Sequence, residues 1–206
     1  TGDAFPSGYN LADAAILPLL RAEGIRRLDY LIVSHDDRDH ASNWRRIDAE
    51  YPARHLIASA PLSASAKRCL AGAPWRWEGL QLQFLAPAGV TAGRDNADSC
   101  VLRLDDGRHS LLLVGDLPGS QEQQLLALPG LIRPVSWLVS GHHGSRHSST
   151  PAWIRRLQPQ WVQPSWLHCP CRCHQGGGRY LRSQARAGGR QARDQGVLAR
   201  RSQAAP

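Results

Sequence analysis

The stretch Leu28-Asp29-Tyr30-Leu31-Ile32-Val33-Ser34-His35-Asp36-Asp37-Arg38-Asp39-His40 joins an apolar run to four candidate metal ligands, His35, Asp37, Asp39 and His40, within six residues. The run Leu28 to Val33 has the length and branching of a buried strand. It would deliver the ligands to its C-terminal end, where a turn can converge them on one or two cations. Imidazoles and carboxylates crowded this closely repel like neighbours or need separate hydrogen-bond partners, and a divalent cation satisfies them together. The alternative is a solvated acidic turn.

Two further apolar strands end in side chains of the same kind. Trp75 and Trp77, then Leu80, Leu82 and Phe84, alternate with polar neighbours. Val101, Leu102 and Leu104 lead through the turn Asp105-Asp106-Gly107 into Ser110 to Val114, which predicts a hairpin ending in Gly115-Asp116. The run Val135 to Val139 precedes Gly141-His142-His143-Gly144-Ser145. Between these strands, Leu11 to Glu23 places Leu11, Ala14, Ala15, Leu19 and Ala22 at helical spacing, with Gly24 as the stop despite Pro18. Ala41 to Ala49 reads as a helix with Trp44 and Ile47 inward, His55 to Ala58 as a strand, and residues 121–128 as a short helix. Three ligand-bearing strand ends among hairpins and helices predict an α/β layered fold with its site at one rim of packed sheets.

Composition bounds the reading. The 206 residues suffice for one well-buried domain. No stretch has the roughly 18 uncharged apolar residues of a spanning helix, and no basic-apolar-small signal segment opens the chain. With Thr1 first and no Met anywhere, the sequence reads as an excerpt of a longer polypeptide. The net charge of +8 invites a polyanionic partner, but residues 161–206 hold eight Arg against the single Asp194, so the basic character belongs to the tail. On the body, Arg45, Arg46, Arg146, Arg155 and Arg156 can still form a local patch, or an ordinary solvated surface. From about Val162 the composition turns to Arg, Ala, Gln and Gly with few large aliphatics, which predicts disorder. The tail cluster of Cys169, Cys171 and Cys173 lacks the spacing of a zinc finger or ribbon. No Ser/His/Asp triad or nucleotide-binding loop is present, so no nucleotide cofactor is expected.

Asp29 to His40, Trp75-Arg76-Trp77, Asn96 to Leu104, Leu112 to Asp116 and His142 to Thr150 together resemble the metallo-β-lactamase superfamily. Within it they are similar to the C-terminal domain of ComEC-type DNA-internalisation proteins. The resemblance covers residues 1 to about 161, with Thr1-Gly2 as the remainder of an Asp-Thr-Gly strand end and Leu17 to Ile25 as the helix after it. It implies an αββα sandwich, incomplete at the N-terminus, for residues 1–161. Residues 162–206 form a divergent basic tail where the family continues with a strand and a Gly-His-Pro-like segment. So abrupt a change is what a shifted reading frame in GC-rich DNA would produce.

The resemblance also implies a site. His35 and Asp37 would hold one divalent cation, Asp39 and His40 a second, with Asp116 bridging and His143 as a further ligand. His142 would contact substrate or a leaving oxygen, and Asp39 is carried over as catalytic. Asp37 stands where the superfamily usually has His. The added oxygen ligand favours manganese beside zinc and admits magnesium. No counterpart is found for the His that many members supply before the bridging Asp, since His55 lies within a strand and His109 in a hairpin, so a mononuclear or inactive site is the alternative. Ser145, Arg146, Ser148 and Ser149 follow the ligand in a Gly-containing loop and are placed to bind phosphate. A helix N-cap ahead of Pro151 explains Ser149 or Thr150 equally well. Cys69 and Cys100 match positions where this branch places Cys. That implies a disulfide and an oxidising setting, although two separate buried thiols fit as well.

The function implied is that of a metal-dependent, nuclease-like phosphodiester hydrolase using metal-activated water. It would be the soluble, periplasmic-face domain of an inner-membrane protein of natural competence. Its partners would be single- or double-stranded DNA and the rest of the membrane channel. A hydrolase of a small phosphoester or lactone, and an inert fragment, are the alternatives.

Overall fold

Side chains that alternate along each strand sort themselves into three cores, and these cores define the layers. In the computed structural model, which describes residues 1–164, a π-helical turn Ala12–Ile16 runs into α1 (Leu17–Ala22) and then β1 (Leu28–Val33). α2 (Arg38–Ala41) and α3 (Trp44–Glu50) lead to β2 (Ala53–Ala58) and the short β3 (Lys67–Arg68). These three strands form a parallel sheet in the order β1-β2-β3.

A second sheet has six strands. β4 (Trp75–Trp77), β5 (Leu80–Ala86), β6 (Val101–Asp105) and β7 (Ser110–Leu113) pair antiparallel. α4 (Gly119–Leu126) and α5 (Pro151–Leu157) are crossovers that bring β8 (Trp137–Val139) in parallel beside β7 and β9 (Trp161–Gln163) in parallel beside β8, because parallel neighbours need such connections.

Along β1, Leu31 and Val33 face a core shared with Leu17, Trp44 and Ile47, while Tyr30 and Ile32 face the other sheet. β6 and β7 divide likewise. Leu102, Leu104 and Leu113 pack between the sheets with Leu82 and Phe84, whereas Val101 and Leu112 join Leu138, Trp153 and Leu157 beneath α4 and α5. The order is helix, sheet, sheet, helix, the αββα sandwich that the resemblance implies. Cys69, just after β3, and Cys100, just before β6, are disulfide-bonded inside the inter-sheet core, with Cα atoms 5.8 Å apart.

Three local expectations are corrected. The helix at 11–23 is not one regular helix, because Pro18 lacks an N–H and is accommodated at the start of α1 behind the π turn. The extra residue in that turn rotates the buried face. Ala12 and Leu17 are fully buried, while Ala14, Ala15 and Ala22 are exposed and Leu19 is 59% exposed. The helix at 41–49 breaks at Ser42-Asn43, where the Asn43 amide donates to the carbonyls of Thr1, Gly2 and Asp3. Trp44 and Ile47 are nonetheless inward. Val162 and Gln163, assigned to the tail from composition, lie in β9. The expected disorder and the cluster Cys169, Cys171, Cys173 lie outside the described residues.

Candidate metal centre

The C-terminal ends of β1, β7 and β8 open on the same rim. Beyond β1, Cys100 N donates to Ser34 O at 2.9 Å and Asp36 N to Gly93 O at 2.7 Å, which fixes the chain as it leaves the sheet. The Asp37 carbonyl then accepts from His40 N and Ala41 N at 2.9 and 2.7 Å, starting α2. That single turn is enough to bring Asp39 and His40 back over the strand end. Thr1 supports it from below, its hydroxyl donating to His40 O at 2.5 Å.

Asp116 follows β7 through Gly115, whose φ of +55° favours glycine. A Cβ there would sit 3.0 Å from both Ser34 Cβ and Ser99 Cβ, so glycine also lets the ends of β1 and of the segment before β6 approach the Asp116 turn. The third segment is tied to the second by His142 N donating to Gly115 O at 3.1 Å. His142 and His143 both have left-handed φ, +48° and +52°, a conformation that costs non-glycine residues about 1 kcal/mol or more and persists only where surroundings enforce it. Here the enforcement is visible. Ser148 Oγ donates to Gly141 O at 2.7 Å, Ser149 Oγ accepts from Gly141 N at 3.1 Å, and the buried Glu122 of α4 accepts from Ser149 N and Thr150 N at 2.6 and 2.8 Å. Burial pushes the Glu122 carboxyl above its ordinary pKa, against the pull of those hydrogen bonds.

Asp39, His40, Asp116 and His143 gather at the rim, each offering a ligand atom within 4.8 Å of the others. His143 Nε2 lies 2.8 Å from Asp39 Oδ2 and 3.2 Å from His40 Nε2, and His40 Nε2 lies 3.1 Å from Asp116 Oδ1. The hydrogen bond from His143 holds the Asp39 carboxyl well below the usual carboxylate range. Burial alone would raise Asp116, but the hydrogen bond and charge of His40, with His143 and His142 nearby, outweigh it and keep that carboxyl low. Burial, followed by the proximity of His40, lowers the pKa of His35 against the pull of Asp116 and Asp37, which favours the neutral imidazole.

His35 supplies the test of fit for a cation. Its ring is fully buried, with Nδ1 against Ser34 Oγ at 3.1 Å and Ser99 Oγ at 3.4 Å. Its Nε2 has no hydrogen-bond partner, since Asp37 Oδ2 stands 3.4 Å away without hydrogen-bond geometry. A buried nitrogen left bare costs about 1–3 kcal/mol, and a neutral imidazole beside carboxylates is the donor set of a divalent transition metal. The residues present therefore fit such an ion. Ser34 Oγ also contacts His40 Nδ1 at 3.1 Å, orienting both imidazoles as outer-sphere partners of metal ligands do.

Of the other expected residues, His142 stands at the edge, 39% exposed, its Nε2 3.8 Å from Asp116 Oδ2 and its Nδ1 3.5 Å from Asn96 Nδ2. Ser148 and Ser149 are buried and use their hydroxyls within the loop, leaving Ser145 and Arg146 of the proposed phosphate-binding set on the accessible side. Thr150, not Ser149, caps α5, accepting from Trp153 N at 3.4 Å. His55 packs on Tyr30 and His109 contacts Asp106, both away from the cluster. Sequence reasoning assigned no role to Ser34, Ser99 or Glu122. The serines could have been suspected as small polar residues beside ligand segments, whereas nothing in the sequence of α4 marks Glu122.

Residues 3–162 match the family model described as the metallo-beta-lactamase superfamily, and the chain belongs to that superfamily. It is 38% identical over 162 residues to "Recombination protein 2" of Haemophilus influenzae, covering 77% of this chain and 20% of that protein. It is 35% identical over 154 residues to "Competence protein ComA" of Neisseria gonorrhoeae, covering 75% and 22%. Against "ComE operon protein 3" of Bacillus subtilis it is 30% identical over 169 residues, covering 74% and 22%. These identities bear out the likeness to ComEC-type competence proteins read from the motifs, and the chain spans about a fifth of the length of these relatives. Among the described residues no helix is long and apolar enough to cross a membrane.

Proposed function

We propose that this domain is a metal-dependent phosphodiester hydrolase that acts on DNA as part of a competence-type uptake protein. The observation that carries the reading is the convergence of Asp39, His40, Asp116 and His143 beside the bare, buried Nε2 of His35. His35 and Asp37 would hold one divalent ion, and Asp39, His40 and His143 a second, with Asp116 between them and manganese or zinc preferred over magnesium. Bound there, such ions supply Lewis-acid activation of water and neutralise charge on a phosphodiester.

The chain's own residues do the rest. Asp39, ionised and 44% exposed, would accept a hydrogen bond from the attacking water and orient it. His142, on the open side of Asp116, hydrogen-bonds the leaving oxygen. Ser145 and Arg146 hold a non-bridging phosphate oxygen. The relatives named for competence and recombination support DNA as substrate and the remainder of a membrane channel as partner. The Cys69–Cys100 bridge supports the oxidising, periplasmic side of the membrane.

The test is calorimetry with manganese and with zinc on the full chain, followed by cleavage of end-labelled single- and double-stranded oligonucleotides. Binding of either ion together with cleavage, both lost in Asp116→Asn, is expected. Folded protein that binds neither ion would overturn the reading. Hydrolysis of bis(4-nitrophenyl) phosphate without oligonucleotide cleavage would move the substrate to the small-phosphoester class.

A further inference from the structure

Beside the ligand loop, on the far side of Asp36, lies a cavity of about 340 Å³ whose lining includes Asp36, Trp44, Arg45, Pro61, Leu62 and Arg94. It is not part of the cluster described above, yet it begins one residue from Asp37. Its two cations are set from different directions. Arg45 leaves the first turn of α3 with its guanidinium stacked on the ring of the buried Trp44, 4.6 Å from the centroid. Such stacking orients the planar fork and leaves its edge N–H groups free to donate.

Arg94 comes from the loop between β5 and β6, and that loop is pinned. Gly93 O accepts from Asp36 N, Gly93 N donates to Asp98 Oδ2 at 2.9 Å, and Thr91 O accepts from Arg68. Gly93 has φ +70°, and a Cβ on it would fall 2.3 Å from Ala60 N, so the loop lies directly against the segment after β2.

Four other arginines of the domain are paired with carboxylates. Arg21 and Arg46 pair with Glu50, Arg38 with Asp3 and Arg103 with Asp105. Arg45 and Arg94 pair with no carboxylate among the described residues, Asp36 included. Two unpaired guanidinium groups at one cavity, with an apolar wall from Pro61 and Leu62, match a group that carries phosphate at one end and a flat base at the other. The Asp36 carboxylate is a pure acceptor, unsuited to a second phosphate and suited to the N–H edge of a base.

We infer that this cavity is a subsite for a nucleotide of single-stranded DNA flanking the scissile phosphate, with Arg45 and Arg94 on the neighbouring phosphate and the base against Pro61 and Leu62. The inference rests on the proposed action on DNA. A paired duplex does not present an unstacked base to such a pocket, so the subsite selects single strands.

The test is equilibrium binding of a short fluorescein-labelled oligothymidylate to the full chain, followed by fluorescence anisotropy across a salt series. It is made in the Asp116→Asn background with chelator, so that no turnover intervenes. Arg45→Ala and Arg94→Ala should each weaken binding roughly tenfold, as expected for loss of a charge-assisted contact. Each should lower the salt slope by about 0.7, the share of one single-strand phosphate. Arg54→Ala, on an exposed β2 position away from the cavity, should change neither.

Unchanged affinity in the Arg45→Ala, Arg94→Ala double variant, or an equal loss in Arg54→Ala, overturns the subsite, as does tighter binding of a duplex of the same length. These outcomes are separable from failure of the hydrolase reading. Oligonucleotide binding that depends on both arginines stands even if no metal binds, and cleavage that ignores both arginines removes the subsite while leaving the hydrolase.

Discussion

The two halves of the sandwich build their share of the rim differently. The three-stranded half offers its ligands on a short turn and a single turn of helix, with Asp37 and Asp39 side chains 45% and 44% exposed. The six-stranded half offers Asp116 with a side chain 5% exposed, and a histidine loop locked by Glu122, Ser148 and Ser149. One half is exposed and the other buried and locked. A cation site assembled this way has a preformed template facing solvent-exposed carboxylates, so damage to the template should cost more than equal damage to the turn.

Five perturbations test that contrast. Asp116→Asn removes the template's own ligand and should lower manganese affinity, read by calorimetry, by more than the roughly 10–100-fold that outer-sphere partners are worth. Asp37→Asn on the exposed turn should lose less. Replacing Cys69 and Cys100 together by Ala unties the two halves across a sequence separation of 31. The expected loss is about 3 to 4 kcal/mol in urea unfolding, from loop-closure entropy alone. Preserved stability would show that the halves are held by their shared core rather than by the bond.

Gly115→Ala forces a Cβ against Ser34 and Ser99 at an unfavourable φ. It should cost about 1 to 3 kcal/mol, together with a fall in metal affinity that a distant destabilising change would not produce.

The smallest expected effect is at Glu122, where Gln keeps one acceptor for two backbone donors and should cost about 1 kcal/mol. Its sign with pH is fixed. A carboxyl whose folded pKa is raised adds stability that is complete below its unfolded value, near 4.3, and is lost as pH rises through the folded value. The penalty of Glu122→Gln in metal-free protein should therefore be larger in acid than at neutrality, and a penalty growing toward neutral pH would contradict the burial argument.

What the sequence reveals differs between the same two halves. β1 and its ligands are readable together because a buried strand and its turn are contiguous, and the period of two along β5, β6 and β7 marks the hairpins directly. The ligand positions Asp116 and His143 are visible only as strand ends, and their meeting with Asp39 and His40 is a matter of topology. Hidden altogether are effects that need a partner in space. The π turn before Pro18 shifts the helical face away from Leu19. Asn43 interrupts a helical pattern to bind the chain's first carbonyls, and the buried Glu122 holds a loop nearly thirty residues away. None of these leaves a periodic trace, since each answers to a backbone group rather than to an apolar stripe.

The contact of His40 Nε2 with His143 Nε2 at 3.2 Å joins residues 103 positions apart. So long a span must be closed before either imidazole finds the other, and non-local closure is the slow part of folding. During synthesis the rim can exist only after β8 has emerged and docked. Ion uptake by the growing or refolding chain would therefore report completion of the whole sandwich rather than the formation of any one of its elements.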